Sequence, residues 1–278
     1  RLHFDIYPET KRLCSSIDLS TLHKQRIEEE LKKALLKSDE PSIFFQNLKE
    51  MGQLSFWFKE IEELIGVKQD PLYHPEGDVF VHTMKVLDRG ASYTREVKEP
   101  YRFMLLCLSH DLGKIVTTEE INGRIHSYRH EIAGLPLIKK FIRRFCEEKE
   151  PLKYLMNMVP LHMRPFSLAA GKSSIKATNK IFDLAIEPYD LILFSLADKG
   201  PKARQEDIDF LFERYEIYKE YMARDYVSGQ DLIDAGLKPD ESFSALLDYA
   251  HKLRLSGVEK TNALKQTLSY ARKLKEND

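Results

Sequence analysis

Side chains that seek metal ions recur along the chain in the order His82, His110, Asp111, His130, His162 and Asp198. Imidazole nitrogens with carboxylate oxygens suit divalent transition metals or Mg, and such a shell with open positions can activate water for attack on a phosphate. The set therefore points to metal-dependent hydrolysis.

The adjacent pair His110-Asp111 is the most informative part, because neighbours on a helix point about 100° apart and do not normally serve one centre. A helix end relaxes that limit. The apolar stretch from Tyr101 to Ser109 reads as a buried helix, with the pair in its last turn and Leu112-Gly113 as a stop in which Gly takes the left-handed conformation. His82 lies in a second segment, where Val79 and Val86 share its face at helical spacing and Asp78 is the N-cap, so that it points into the core. Asp198 ends the apolar run Leu191 to Ala197, where an ionisable group needs a partner. A lone histidine on an apolar face is more often a satisfied core residue than a ligand, so the case rests on the set.

Taken together, His82, then His110-Asp111-Leu112-Gly113-Lys114, then Leu196-Ala197-Asp198 resembles the HD superfamily of metal-dependent phosphohydrolases. The resemblance implies that Asp111 bridges two ions, with His82, His110 and Asp198 on one and His130 and His162 on the other; a surface or phosphate-contacting role stays open for the last two. It implies one or two divalent ions drawn from Mn, Ni, Co, Fe or Mg. Asp111 and Lys114 become the catalytic candidates, Lys114 as a point charge beside the reacting phosphate, against the alternative of an exposed lysine after a helix end. Arg129, Arg164 and Lys199 each neighbour a ligand and are further candidates for gripping phosphate. His74 and His126 are left out as ligands.

The resemblance continues outside the ligands. The stretch from Gly66 to Asp78, together with Ser228-Gly229-Gln230-Asp231-Leu232-Ile233 and Gly236-Leu237-Lys238-Pro239, is similar to the C-terminal half of bacterial CCA-adding tRNA nucleotidyltransferases, and residues 10 to 65 look like that family's helical neck. The implied substrates are nucleotides or RNA ends bearing phosphomonoesters or 2′,3′-cyclic phosphates, with tRNA as a partner. Nucleotidyl transfer itself needs a glycine turn followed by paired carboxylates on a strand, and no such segment is present. Asp207-Ile208-Asp209 lies in a polar helical stretch and reads as a solvated helix face. CCA addition by this chain alone is not expected, whether it is a trimmed part or a stand-alone relative.

A chain of 278 residues with net charge −1 and 42% hydrophobic residues has ample apolar content for a core. No apolar run is long enough to span a bilayer and no signal pattern opens the chain, so no membrane partner and a cytoplasmic location are the default expectation. Cys14, Cys107 and Cys146 suggest reduced thiols, with Cys107 in the core.

The periodicity is helical almost throughout, so the fold class is all-α, a multi-helix arrangement with a neck-like region at 1–69, an HD domain at 70–225 and a small C-terminal helical module at 226–278. Helices are expected at 20–37, 41–50, 53–65, 78–93, 99–112, 128–147, 151–162, 175–186, 188–198, 204–223, 228–235, 241–255 and 259–275, with a loop over 117–127 partly covering the site. Gly171-Lys172-Ser173 lacks the first glycine and the preceding strand of a phosphate loop and reads as a turn leading into a helix. Lys172, Lys176 and Lys180 form one basic helix face, either solvated or against an RNA backbone. The near-zero net charge argues against strong nonspecific nucleic-acid binding, and RNA binding is carried mainly by the resemblance. The competing reading is a noncatalytic tRNA-binding body.

Overall fold

The computed structural model describes residues 5–275. Among them the chain is helical with a single two-stranded sheet, as the periodicity predicts. In order the elements are α1 (Pro8–Cys14), α2 (Lys24–Leu36), α3 (Ser42–Glu50), α4 (Lys59–Glu62), α5 (Val79–Ala91), α6 (Pro100–Ser109), α7 (Lys114–Thr117), β1 (Thr118–Ile121), β2 (Arg124–Ser127), α8 (His130–Ala133), α9 (Leu135–Phe145) and α10 (Lys149–Met158). There follow α11 (Arg164–Ala170), α12 (Ile175–Leu184), α13 (Pro188–Lys199), α14 (Gln205–Ala223), α15 (Gly229–Asp234), α16 (Ser242–Leu255) and α17 (Lys260–Lys275). No helix among the described residues is long and apolar enough to cross a membrane.

The chain groups into two compact units, one of residues 1–164 with 185–204 and the other of 165–184 with 205–278. The sequence divides it in three instead. In the first unit α6 is the central element: every residue from Phe103 to Ser109 is buried, and α2, α5, α10 and α13 pack around it. A helix apolar on all sides has to be surrounded, and each large side chain withdrawn from water contributes roughly 1.5–3 kcal/mol. Phe44, Phe45, Phe58, Phe141 and Phe145 form an edge-to-face cluster beside the buried Glu60, whose carboxylate accepts two 2.6 Å hydrogen bonds from Arg144.

In the second unit Leu232, Leu246 and Ala271 form an apolar centre, and Phe182 packs against Tyr215 and Tyr218. Ser228 caps α15 with a capping box closed by Asp231.

Several local expectations are corrected. Of the expected loop 117–127, Thr117 ends α7 and residues 118–127 are the β1–β2 hairpin, in antiparallel register Thr118 opposite Ser127, turned by Asn122-Gly123 with positive φ at both. The alternation is too short to register in the sequence. The expected helix 128–147 is interrupted: Arg129 has φ 56° and α9 restarts after Gly134, with a proline in its first turn. Residues 53–65 contain only the short α4, and α1 and α11 were not anticipated. Gly171-Lys172-Ser173 does sit in the turn before α12, and Lys172 has φ 43°. Asp207 is buried rather than solvated. All three cysteines are free, with Cys107 fully buried.

Candidate metal centre

α6 ends at Ser109, so His110 is its C-cap and Asp111 follows in the turn rather than in the last helical turn. Gly113 is right-handed there, with φ −65°, and the expectation of a left-handed stop does not hold. What requires glycine is close approach: a Cβ at position 113 would lie 1.9 Å from the carbonyl oxygen of His130. That contact lets α8 press against the turn and carries His130 up to Asp111.

α5 supplies His82. Asp78 caps the helix by accepting from the Val81 amide at 2.9 Å, and the His82 ring is buried. Asp198 comes from the end of α13, and it is partly buried rather than enclosed. Its position is braced by Arg89, which donates to the carbonyls of Ala197 and Asp198, as a cation at a helix C-terminus should. Gly200, with positive φ, ends the helix where any Cβ would lie 2.8 Å from the Arg89 guanidinium carbon.

The six residues named from the sequence meet in one place. Asp111 divides its oxygens: Oδ2 faces His110 Nε2 at 3.2 Å and His82 Nε2 at 3.7 Å, while Oδ1 faces His130 Nε2 at 3.2 Å. Asp198 Oδ1 lies 2.9 Å from His82 Nε2 and 3.8 Å from His110 Nε2. His130 and His162 bring their Nε2 atoms to 3.3 Å.

Hydrogen bonding on the far side of each ring assigns the tautomers. Nδ1 of His110, His130 and His162 faces the carbonyl oxygen of Cys107, Ser127 and Val159 at 3.2, 2.9 and 2.7 Å respectively. A carbonyl only accepts, so Nδ1 carries the proton and Nε2 presents a lone pair. His130 and His162 thus point two lone pairs at each other, and His110 Nε2 is buried without a hydrogen bond. Converging lone pairs and ionised carboxylates need a cation between them. Two groups of this kind fit a divalent ion, His82/His110/Asp111 and Asp111/His130/His162.

The electrostatics of Asp111 and His162 agree, whereas at His130 burial works to lower the pKa but contact with the Asp111 carboxylate raises it. Burial works against ionising Asp111, yet His110 and Lys114 hold its carboxyl well below the usual range. Burial, reinforced by His110 and His130, pushes His162 down to about 4, so its imidazole is neutral at ordinary pH. Lys114 is buried, with Nζ 2.8 Å from both Asp111 Oδ2 and Gln69 Oε1. It is not an exposed lysine.

A cavity of about 490 Å³ opens onto the centre. The hairpin that the sequence reads as a covering loop lines it through Arg124, Ile125, His126 and Ser127, and Lys199 and Lys202 face it as well. Arg129 and Arg164 are not among its lining residues. His74, set aside as a ligand, also lines it, 3.1 Å from Glu76. Glu76, Gln69 and Lys202 were not picked out as site residues from the sequence: the first two lie in the family-like stretch Gly66 to Asp78 without donor spacing of their own, and Lys202 lies in a charged stretch after α13.

The chain is similar to proteins named Multifunctional CCA protein. That of Pasteurella multocida is 31% identical over 94% of this chain and 63% of its own length. That of Mannheimia succiniciproducens is 39% identical over 86% and 58%, and that of Pseudomonas fluorescens 37% over 88% and 60%. The chain therefore spans about three fifths of the length of these relatives. No family model matches it.

Proposed function

We propose that this chain is the body of a protein like the multifunctional CCA proteins and that its metal centre hydrolyses phosphomonoesters or 2′,3′-cyclic phosphodiesters on nucleotides or RNA ends. The observation that carries the hydrolase reading is Asp111, a buried carboxylate that splits its two oxygens between two histidine groups whose lone pairs converge. Divalent ions held there supply Lewis acidity toward a phosphoryl oxygen and toward water. Mn, Ni, Co, Fe and Mg all suit the mixed nitrogen and oxygen set.

The chain's own groups do the rest. Asp111 holds the two halves of the centre in register and accepts a hydrogen bond that orients the attacking water. Lys114 keeps Asp111 ionised through the 2.8 Å contact, and its ammonium, with three N–H groups and two partners named above, has one to offer a phosphoryl oxygen. Arg124, Lys199 and Lys202 at the cavity wall favour an anionic substrate.

Hydrolysis of 2′,3′-cyclic AMP and of a phosphomonoester with Mg, Mn, Co or Ni tests the reading, beside Asp111→Ala. Metal-dependent turnover that the variant lacks supports it. Metal binding without turnover of either ester sinks it.

The similarity to multifunctional CCA proteins favours a second reading, a tRNA-binding body whose centre holds a structural ion. Lys176 and Lys180 are exposed on α12 and Lys172 in the turn before it, so the three do not form the single helix face expected from their spacing. Neutralising the three should weaken tRNA binding and flatten its salt dependence by up to roughly two units of slope. Unchanged affinity and slope count against this surface.

A further inference from the structure

Three of the four histidines at the centre are oriented by backbone carbonyls, and His82 is not. Its Nδ1 lies 2.9 Å from Glu76 Oε1, a carboxylate in the stretch Gly66 to Asp78 that leads into α5. Glu76 is itself fixed: His74 Nδ1 reaches the same oxygen at 3.1 Å, and Lys202 Nζ donates to Oε2 at 3.1 Å and to the Tyr73 carbonyl. The His82 and His74 rings meet edge to face at 4.8 Å.

We infer that Glu76 is a positioning residue for the metal centre, holding His82 as its Nδ1–H form and presenting Nε2 to the ion shared with His110 and Asp198. This rests on the metal-centre reading above and extends it to residues outside the ligand set. A carboxylate behind an imidazole fixes the ring more firmly than a neutral carbonyl and makes the far nitrogen a stronger donor. The two halves of the centre are then unequal, with the stronger donor on the His82 side.

An alternative use of the same atoms would make His74, Glu76 and His82 the ligands of an ion of their own, since their donor atoms also lie within 4.8 Å of one another. The orientation of His82 argues against it. Its Nε2 faces Asp198 and Asp111, so an ion on the His74 side would have to take Nδ1 and displace the Glu76 hydrogen bond.

The test is titration of Co(II) into the metal-free 278-residue chain, followed by visible absorption, for the wild type, Glu76→Gln, Glu76→Ala and His74→Ala. Loss of the carboxylate should weaken the more tightly held ion by about 10–100-fold, Ala more than Gln, with little change in the other. His74→Ala removes a ring contact with His82 but no hydrogen bond to it, and should stay within about threefold of the wild type. Because a variant can fail to fold, nitrogen NMR of the wild-type chain with Zn(II) gives a second readout: His82 should keep a proton on Nδ1 and coordinate through Nε2. Coordination through Nδ1, wild-type affinity in Glu76→Ala, or an equal loss in His74→Ala would each overturn the inference while leaving the metal centre intact. Failure of the wild type to bind either ion would instead remove the metal-centre reading itself.

Discussion

Each compact unit contains a histidine within reach of an aspartate, and the two pairs differ in burial and in the groups around them. In the second unit His251 Nε2 lies 2.9 Å from both oxygens of Asp183, with the side chains 39% and 28% exposed. That pair satisfies itself in contact with water, and no metal-capable group among the described residues includes either partner. In the first unit His110 and Asp111 are buried, and their 3.2 Å approach leaves His110 Nε2 without a hydrogen bond while Asp111 faces further imidazoles. Residue type is the same in both. What differs is whether burial removes water and whether other donors converge, and both conditions are needed to make a lone pair available to a cation.

The largest expected effect breaks the comparison at its stronger end. Asp111→Ala should lower metal-dependent ester hydrolysis by about 10³-fold or more, whereas Asp183→Ala should leave it unchanged; equal losses would mean that activity reports folding alone. Next, Gly113→Ala forces a Cβ against the His130 carbonyl and should destabilise the protein by about 1–3 kcal/mol while weakening metal binding. Thermal unfolding and Co(II) titration read the two effects separately. Normal behaviour in both would show that the close approach of α8 is dispensable.

The charge state of His82 sharpens the comparison further. In the metal-free protein burial opposes its charge, but the hydrogen bonds to Asp198 and Glu76 prevail and raise its pKa to about 9. A pKa raised by folding contributes stability that is fully present below the unfolded value near 6.5 and is lost as pH rises through about 9. Denaturant midpoints of the metal-free chain should therefore fall over that interval, and the part due to this group should vanish in His82→Gln. Metal binding at neutral pH should also release a proton, read by calorimetry in buffers of different ionisation enthalpy. The smallest effect concerns the second unit alone. Asp183→Ala should cost no more than about 1 kcal/mol, as a partly exposed pair does, measured as a shift in denaturant midpoint; a larger loss would make that pair more than a surface contact.

Much of this was legible in one dimension because its causes are local. The buried helix α6 shows as an unbroken apolar run, α5 as a period with Asp78 before it, and α15 as a Ser followed three residues later by Asp. His110, Asp111 and Asp198 were legible because His-Asp adjacency and an Asp closing an apolar run are unusual in a core; His82 was read from the set, and His130 and His162 from the family resemblance. The break before α8 and the hairpin were not, since a left-handed Arg129 and strands of four residues leave no periodic trace. The reason for Gly113 was misread for the same kind of cause: the atom that excludes a side chain there belongs to a segment seventeen positions away.

By itself, then, the sequence determined the helical class, the extent of the principal core helices and the side chains able to bind metal, because propensity, amphipathic period and donor chemistry belong to residues and their near neighbours. Only the tertiary structure decided that Asp111 would divide its oxygens between two histidine groups, that Lys114 would be buried against it, and that Glu76 would stand behind His82. Those facts depend on helix ends that lie far apart in the chain being packed to within hydrogen-bond distance, and nothing in a local pattern specifies which ends those are.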